Sequence, residues 1–141
     1  MAAFTGTAKL TRPLSDAIVR AFDAYEAMSP GQAVYLRSDG QVALADADAA
    51  ASAQVIGIVG SVVNGKTSAA AGDRVDVVMF GAVCGFSSLT VGGLVYASVT
   101  AGSMDQTRPA GSSGDYVFIV GTAIAADTIF VNPFTDSFAA A

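Results

Sequence analysis

Residues 60–67, GSVVNGKT, match the phosphate-binding pattern G-x-x-x-x-G-K-[ST] at every fixed position. The apolar residues 54–59 precede them and are typical of a β-strand. In nucleotide-binding proteins this loop leads directly into a helix, whose N-terminal N–H groups hold the phosphates. Here only residues 68–71 separate Thr67 from Gly72, and a new strand pattern begins at Arg74, so a helix does not fit. We interpret the match as a turn at Asn64-Gly65 and keep a nucleotide-binding enzyme as an alternative.

Other residues that could bind a metal ion or act in catalysis lack the partner residues that this chemistry requires. Asp46 and Asp48 are candidate cation ligands, but further oxygen ligands at useful spacing do not follow them. Cys84 alternates with apolar residues and has no histidine to activate it, because the sequence contains none. We expect solvated loop carboxylates and a buried cysteine. The sequence therefore predicts no catalytic residue, no cofactor and no metal site, and the protein is expected not to be an enzyme.

Composition limits the classes of partner. The net charge of −5 leaves no basic patch for nucleic acid. Only 13% of the residues are charged, which suggests that partners cover part of the surface. A single cysteine excludes an internal disulfide and suits a reducing cytosol. Residues 77–104 carry no charge, but glycine and hydroxyl residues divide them into strand-sized pieces, so we expect no membrane span. The N-terminus shows no apolar signal-peptide region.

The elements are predicted to be short β-strands throughout. Residues 33–37 and 41–45 flank Asp39-Gly40, a strong hairpin signal because this dipeptide tolerates the positive φ of a tight primed turn. Residues 14–28 fit a helix or a strand around 18–22, and we favour the strand. Further strands are expected at 54–63, 74–80, 81–86, 94–99, 116–124 and 128–132. About eight to ten short strands predict a compact all-β barrel or sandwich with an extended N-terminal arm.

The chain is divided into an arm (residues 1–16), a single β-domain (17–133) and a tail (134–141). Within the domain, GQAVYLRSDG and GGLVYASVTAG resemble each other, and each precedes an apolar strand that contains glycine. This echo of 31–59 in 92–124 suggests two similar β-modules packed together, although shared turn chemistry would produce it too. Tyr35 and Tyr96 occupy matching places in it, where they mark either a ligand groove or the edge of the core.

The order of these blocks resembles the small β-modules of tailed-phage virion proteins, namely capsid cement (decoration) proteins and related modules of head and tail fibres. The resemblance covers about residues 27–133 and rests on GQAVYLRSDG, AQVIGIV, GDRVDVV, LTVGGLVY and VGTAI with the closing VNP. It implies a non-enzymatic structural protein on the virion surface, made in the bacterial cytoplasm. It also implies the major capsid protein and further copies of the chain, as a homotrimer, as partners.

The arm and the tail are the predicted contact segments, since either could extend over a neighbour and become ordered on binding. The candidate residues for capsid or protomer contact are Phe4, Lys9, Leu10, Arg12, Pro13, Phe134 and Phe138. A head or tail fibre module that binds a host receptor or glycan is the alternative structural function. The chain contains no long repetitive shaft, which favours the cement protein.

Overall fold

The computed structural model describes residues 3–8, 10–49, 52–62, 67–108 and 116–133, and the backbone of residues 138–139. Within these ranges the protein is all-β, as predicted. The strands are β1 (Arg12–Pro13), β2 (Ile18–Asp23), β3 (Ala33–Leu36), β4 (Val42–Leu44), β5 (Val55–Ser61), β6 (Arg74–Cys84), β7 (Leu94–Ala97), β8 (Met104–Asp105), β9 (Tyr116–Val117), β10 (Ile119–Ala125), β11 (Thr128–Val131) and β12 (Phe138–Ala139).

The long strand β6 joins the two halves of the main sheet. The strand order is β4-β3-β5-β6-β11-β10-β7-β8, and β1 and β2 also pair with β6. β2 and β5 pair with the first part of β6, whereas β1 and β11 pair with residues 81–84. The prediction of separate strands at 74–80 and 81–86 is therefore wrong. Gly81, at φ +112°, changes the course of the strand without ending it.

The predicted hairpin around Asp39-Gly40 is present, but its turn differs from the prediction. Leu36 pairs with Val42, and the Gly40 N–H donates to the Arg37 carbonyl at 3.0 Å. Gly40 has a φ of +85°, whereas Asp39 does not have a positive φ. A three-residue loop that ends on a left-handed glycine fits this geometry, and a two-residue primed turn does not. The sequence signal identified the hairpin because both turns place glycine at this position.

The ambiguous residues 14–28 contain strand β2, as favoured. β2 pairs antiparallel with β6 from Ile18↔Phe80 to Asp23↔Arg74. After β2, Ala24 forms a bridge with Val42, which brings the chain back to β4. β2, β3, β4, β5 and the first part of β6 thus form a curled half-barrel, in which the bridge at Ala24 connects the end of β2 to β4. Tertiary pairing therefore decides that this segment is a strand, although its local pattern also fits a helix.

Two modules of the same design make up the sheet. The first module contains β2–β5 and β6 up to residue 80, and the second contains residues 81–84 of β6 with β7, β8, β10 and β11. In the first, Val34 pairs with Gly57, and the register skips one residue before Tyr35 pairs with Val55. In the second, Val95 pairs with Gly121, and the register skips one residue before Tyr96 pairs with Ile119.

Loop hydrogen bonds repeat in the same way. The Gly31 N–H donates to the Val59 carbonyl at 2.8 Å, and the Gly92 N–H donates to the Ala123 carbonyl at 2.7 Å. The echo seen in the sequence thus coincides with repeated backbone geometry. Even the glycines correspond, because a Cβ at Gly57 or at Gly121 would meet a backbone carbonyl of the neighbouring strand.

The apolar core forms two clusters. One fills the first module and includes Val34, Val42, Val59, Val75 and Val77. The larger cluster combines residues from the second module with Ala33, Ile58 and Val78, which face away from the interior of the first. The second module therefore packs onto one face of the first, and this packing holds the two modules together through burial of apolar surface.

Candidate interaction surfaces

The GSVVNGKT segment does not form a phosphate loop in its described part. Gly60 and Ser61 end β5, and Val62 follows it. The Ser61 hydroxyl donates to an Asp76 carboxylate oxygen at 2.9 Å. Beyond Thr67 the chain bends, pairs Ala69 with Met28 and turns before β6, so no helix N-terminus follows, as expected. Residues 63–66, which include Lys66, lie outside the described residues.

The other residues considered for metal binding, catalysis or ligand binding occupy positions that a structural role explains. The Asp46 carboxylate accepts the Asp48 N–H at 3.1 Å, an interaction that shapes the loop locally. Among the described residues, no three His, Cys, Asp or Glu side chains come together in a way that would hold a metal ion. Cys84 is buried, as expected, with its sulfur 3.7 Å from the Arg12 carbonyl oxygen. Tyr35 and Tyr96 are half-buried at equivalent strand positions.

The most specific feature of the surface is the path of the predicted arm. We call residues 3–8 and 10–17 the strap. The Thr11 N–H donates to the Thr7 carbonyl and the Ala17 N–H to the Leu14 carbonyl, so the strap turns twice, and it lies on the domain instead of standing apart from the core. Phe4 exchanges backbone hydrogen bonds with Met104 at 2.7 and 2.8 Å, and its ring packs edge-to-face on Phe86. The Thr7 N–H donates to the Gly85 carbonyl at 2.8 Å, and the Leu14 N–H to the Ala82 carbonyl at 2.9 Å.

Three glycines with positive φ bring the strap to backbone contact. A Cβ at Gly31 would collide with the backbone of Gly6, and one at Gly81 would lie 2.8 Å from the Ala17 Cα. A Cβ at Gly85 would lie 2.5 Å from the Thr11 nitrogen. We call Gly31, Gly81 and Gly85 the glycine track. Since real Cβ contacts do not approach this closely, the strap fits only because these residues lack side chains.

The strap turns some predicted contact residues inward and leaves others exposed. Phe4 is half-buried against the core, and Pro13 is half-buried in β1. The Leu10 side chain is 58% exposed, and Arg12 is exposed too. Lys9 and Phe134 lie outside the described residues, and Phe138 is described only by its backbone, in β12 paired with β9.

The exposed residues of the strap continue into the edge of β2. Within the described part of the chain, residues 18–23 pair with β6 on one side, and only the bridge at Ala24 links their other side to the sheet. Ile18 is 60% exposed and Val19 is 39% exposed. Sequence reasoning did not select these residues, although a strand that is apolar at consecutive positions signals apolar side chains on both faces.

A second apolar surface lies on the outer side of the second module. The sheet register aligns Leu94, Thr122 and Phe130 on three neighbouring strands. Leu94 is 40% exposed, and Ile124, two residues beyond Thr122 on the same side of β10, is 51% exposed. We call Leu94, Thr122, Ile124 and Phe130 the outer face. It was also missed from the sequence, since strand alternation alone does not show which face a neighbour covers.

A groove of about 340 Å³ lies between the start of β5, the middle of β6 and the residues that follow β11. Phe80, Phe118 and Met79 supply its apolar walls, and Gln54 and Asn132 supply amide groups. The Phe80 ring packs edge-to-face on Phe130, with centroids 5.1 Å apart. The groove thus adjoins the outer face.

An ordered charged cluster lies at the β3–β4 hairpin. The Arg37 guanidinium carbon lies 3.5 Å from the centroid of the Tyr25 ring, and its Nε lies 3.2 Å from an Asp39 oxygen. The Gln41 N–H donates to the Asp39 carboxylate at 3.0 Å and, with Arg37, holds the pKa of Asp39 below its ordinary value. These exposed contacts order the hairpin loop.

No family model matches the chain, and no curated protein matches it significantly. In the described part of the chain, no helix has the length and apolar character that crossing a membrane requires.

Proposed function

We propose that this chain is a non-enzymatic structural protein of a phage virion, a cement protein that binds the outer surface of the head at subunit junctions and stabilises the shell. Two observations favour the proposal: the order of the sequence blocks in residues 27–133, which resembles that of virion β-modules, and an all-β body that holds the strap with exposed residues. The major capsid protein is the proposed partner, and the virion surface is the proposed location.

The observation that carries the proposal is the geometry of the strap. Its backbone is held on the glycine track, while Leu10 and Arg12 remain exposed. Because the backbone of this segment is already held in place, binding through Leu10 and Arg12 costs side-chain entropy but little backbone entropy. The strap therefore offers a pre-formed contact edge, in place of an arm that becomes ordered only on the shell.

The copy number per particle tests this function. Quantitative mass spectrometry of purified particles of the encoding virus would compare this chain with the major capsid protein. We expect a number comparable to that of the shell subunits. A few to tens of copies would favour the alternative, a head or tail fibre module that contacts a host receptor or glycan. Absence from the particle would contradict both structural functions.

The contact edge is tested by Leu10→Glu, with Leu36→Glu as the matched control. Both leucines are exposed, at 58% and 46%, and both substitutions change the net charge equally. Binding to particles that lack the protein should weaken at least tenfold for Leu10→Glu, because a carboxylate would replace an apolar contact. Equal binding by the two variants would place the shell contact elsewhere on the domain.

A further inference from the structure

We propose that the side of β2 away from β6, which we call the β2 edge, binds an extended acidic segment of the major capsid protein as an added strand. This inference rests on the proposed function and names the way in which its partner is recognised. Within the described part of the chain, β6 pairs with one side of residues 18–23, and no strand pairs with the other side. An open strand edge is a template for the backbone of another chain.

The direction of the backbone groups in β2 follows from the hydrogen bonds at its end. The Ala24 N–H donates to the Asp73 carbonyl, on the side of β6, whereas the Tyr25 N–H donates to the Val42 carbonyl, on the opposite side. Successive N–H groups of a strand point to alternate sides, and residues 19–23 pair one to one with β6. The N–H groups that point away from β6, toward an added strand, are therefore those of Val19, Ala21 and Asp23.

The side chains of β2 show that both faces of the strand are open beside this edge. Ile18, Val19 and Arg20 are consecutive and all exposed, the two apolar residues at 60% and 39%. Because alternate side chains point to opposite faces, Ile18 and Arg20 share one face and Val19 lies on the other. Cross-strand neighbours stabilise a sheet through side-chain contacts, so the exposed apolar residues favour a partner strand that is apolar at the matching positions.

The distribution of charge indicates that the partner strand is acidic. The sequence has 7 basic and 12 acidic residues, and residues 9–20 contain Lys9, Arg12, Arg20 and one acidic residue, Asp16. Three basic residues and one acidic residue give this segment a formal charge of +2, whereas four basic and eleven acidic residues give the rest of the chain −7. The strap and β2 thus form a basic margin on an acidic protein.

The arginines of this margin are available to a partner. Arg37 and Arg74 form ion pairs within the domain, whereas no carboxylate among the described residues forms an ion pair with Arg12 or Arg20. Opposite charges on neighbouring strands stabilise their pairing, and like charges oppose it. A second copy of this chain would bring the same basic margin against Arg20. The favoured occupant is therefore a strand of a different protein, with Asp or Glu beside Arg20.

Amide hydrogen exchange of the full-length chain, followed by NMR, tests whether the β2 edge is open. In the free protein the N–H groups of Val19 and Ala21 should exchange at least about a hundred times faster than those of Arg20 and Phe22, because only the latter two point toward β6. Equal protection of all four groups would show that the edge is already covered, and the proposal would fail.

Overlapping peptides of about ten residues, the length of a long strand, then cover the major capsid protein of the encoding virus. We expect an acidic peptide with alternating apolar residues to bind, to protect Val19 and Ala21 from exchange, and to lose affinity as salt is raised. Arg20→Glu, which reverses the charge, and Ala21→Pro, which removes an outward N–H, should each weaken binding at least about tenfold. The control is Arg108→Glu, an equal charge change at an exposed residue after β8, which should bind as the wild type does.

Circular dichroism and the melting temperature establish that each variant is folded, and Arg20→Glu alone decides the test if Ala21→Pro is not. Failure of every acidic peptide to bind overturns the proposal, as does binding that Arg20→Glu leaves unchanged. Particles that bind Arg20→Glu as strongly as Arg108→Glu, but lose binding to Leu10→Glu, would overturn this inference and still support the proposed function. Peptide binding at the β2 edge without attachment of the wild type to particles would contradict only the proposed function.

Discussion

Replacing Gly85 with alanine tests whether the glycine track holds the strap. Gly85 has a φ of +112°, and an alanine Cβ there would lie 2.5 Å from the Thr11 nitrogen and 2.6 Å from its Oγ1. Gly72 is the matched control, because its φ is +90° and an added Cβ would meet nothing within 4 Å. Both substitutions carry the strain of a positive φ, and only Gly85→Ala displaces the strap.

The expected difference follows from these contacts. Alanine at positive φ costs about 1–2 kcal/mol, offset in part by about 0.4–1 kcal/mol from the more restricted unfolded chain. Gly72→Ala should therefore lower the free energy of unfolding by about 1 kcal/mol. Overpacking against a fixed backbone adds about 1–3 kcal/mol at Gly85. For a chain of this size, that difference corresponds to a melting temperature lower by about 4–12 °C than in the control.

Thermal unfolding followed by circular dichroism measures the difference, and limited trypsin digestion locates it. Displacement of the strap by Gly85→Ala should accelerate cleavage after Lys9, while the digestion of Gly72→Ala should resemble that of the wild type. If Gly85→Ala melts at the temperature of Gly72→Ala and is cut no faster, the strap does not depend on the track, and the reasoning fails.

Three further predictions concern other parts of the chain. Gly57→Ala and Gly121→Ala should each lower the free energy of unfolding, measured by urea titration, by more than about 2 kcal/mol, because each Cβ would collide with a carbonyl of the neighbouring strand. Unchanged stability of either variant would contradict the repeated geometry. NMR titration should give Asp39 a pKa below its ordinary value, because the Gln41 N–H and Arg37 stabilise the carboxylate. Its contribution to stability is then present above the unfolded-state pKa and is lost as the pH falls through the lower folded pKa; an ordinary pKa would show that these groups do not hold the carboxylate in solution. Magnesium nucleotide should not change the melting temperature of the wild type or of Lys66→Ala. If nucleotide raised the melting temperature of the wild type but not that of Lys66→Ala, the nucleotide-binding alternative would be restored.

The sequence by itself determined the local elements of this protein. Alternating apolar residues and glycine-containing turns predicted the β-strands, and Asp39-Gly40 predicted the hairpin. Both are local signals, because side-chain alternation in a strand and backbone φ in a turn depend on residues close together in the sequence. The lack of room for a helix after Thr67 excluded a phosphate loop in the same way. The echo between 31–59 and 92–124 was visible because equivalent turns require equivalent glycines.

Only the tertiary structure decided which surfaces are covered. Arg12 lies opposite Cys84, and Gly6 lies on Gly31, through pairings between residues far apart in the chain. No local pattern shows that Gly81 continues a strand, or that Ala33 is buried while its counterpart Leu94 is exposed. Alternation divides a strand into two faces, but coverage depends on which module packs against each face, and long-range packing alone fixes that choice.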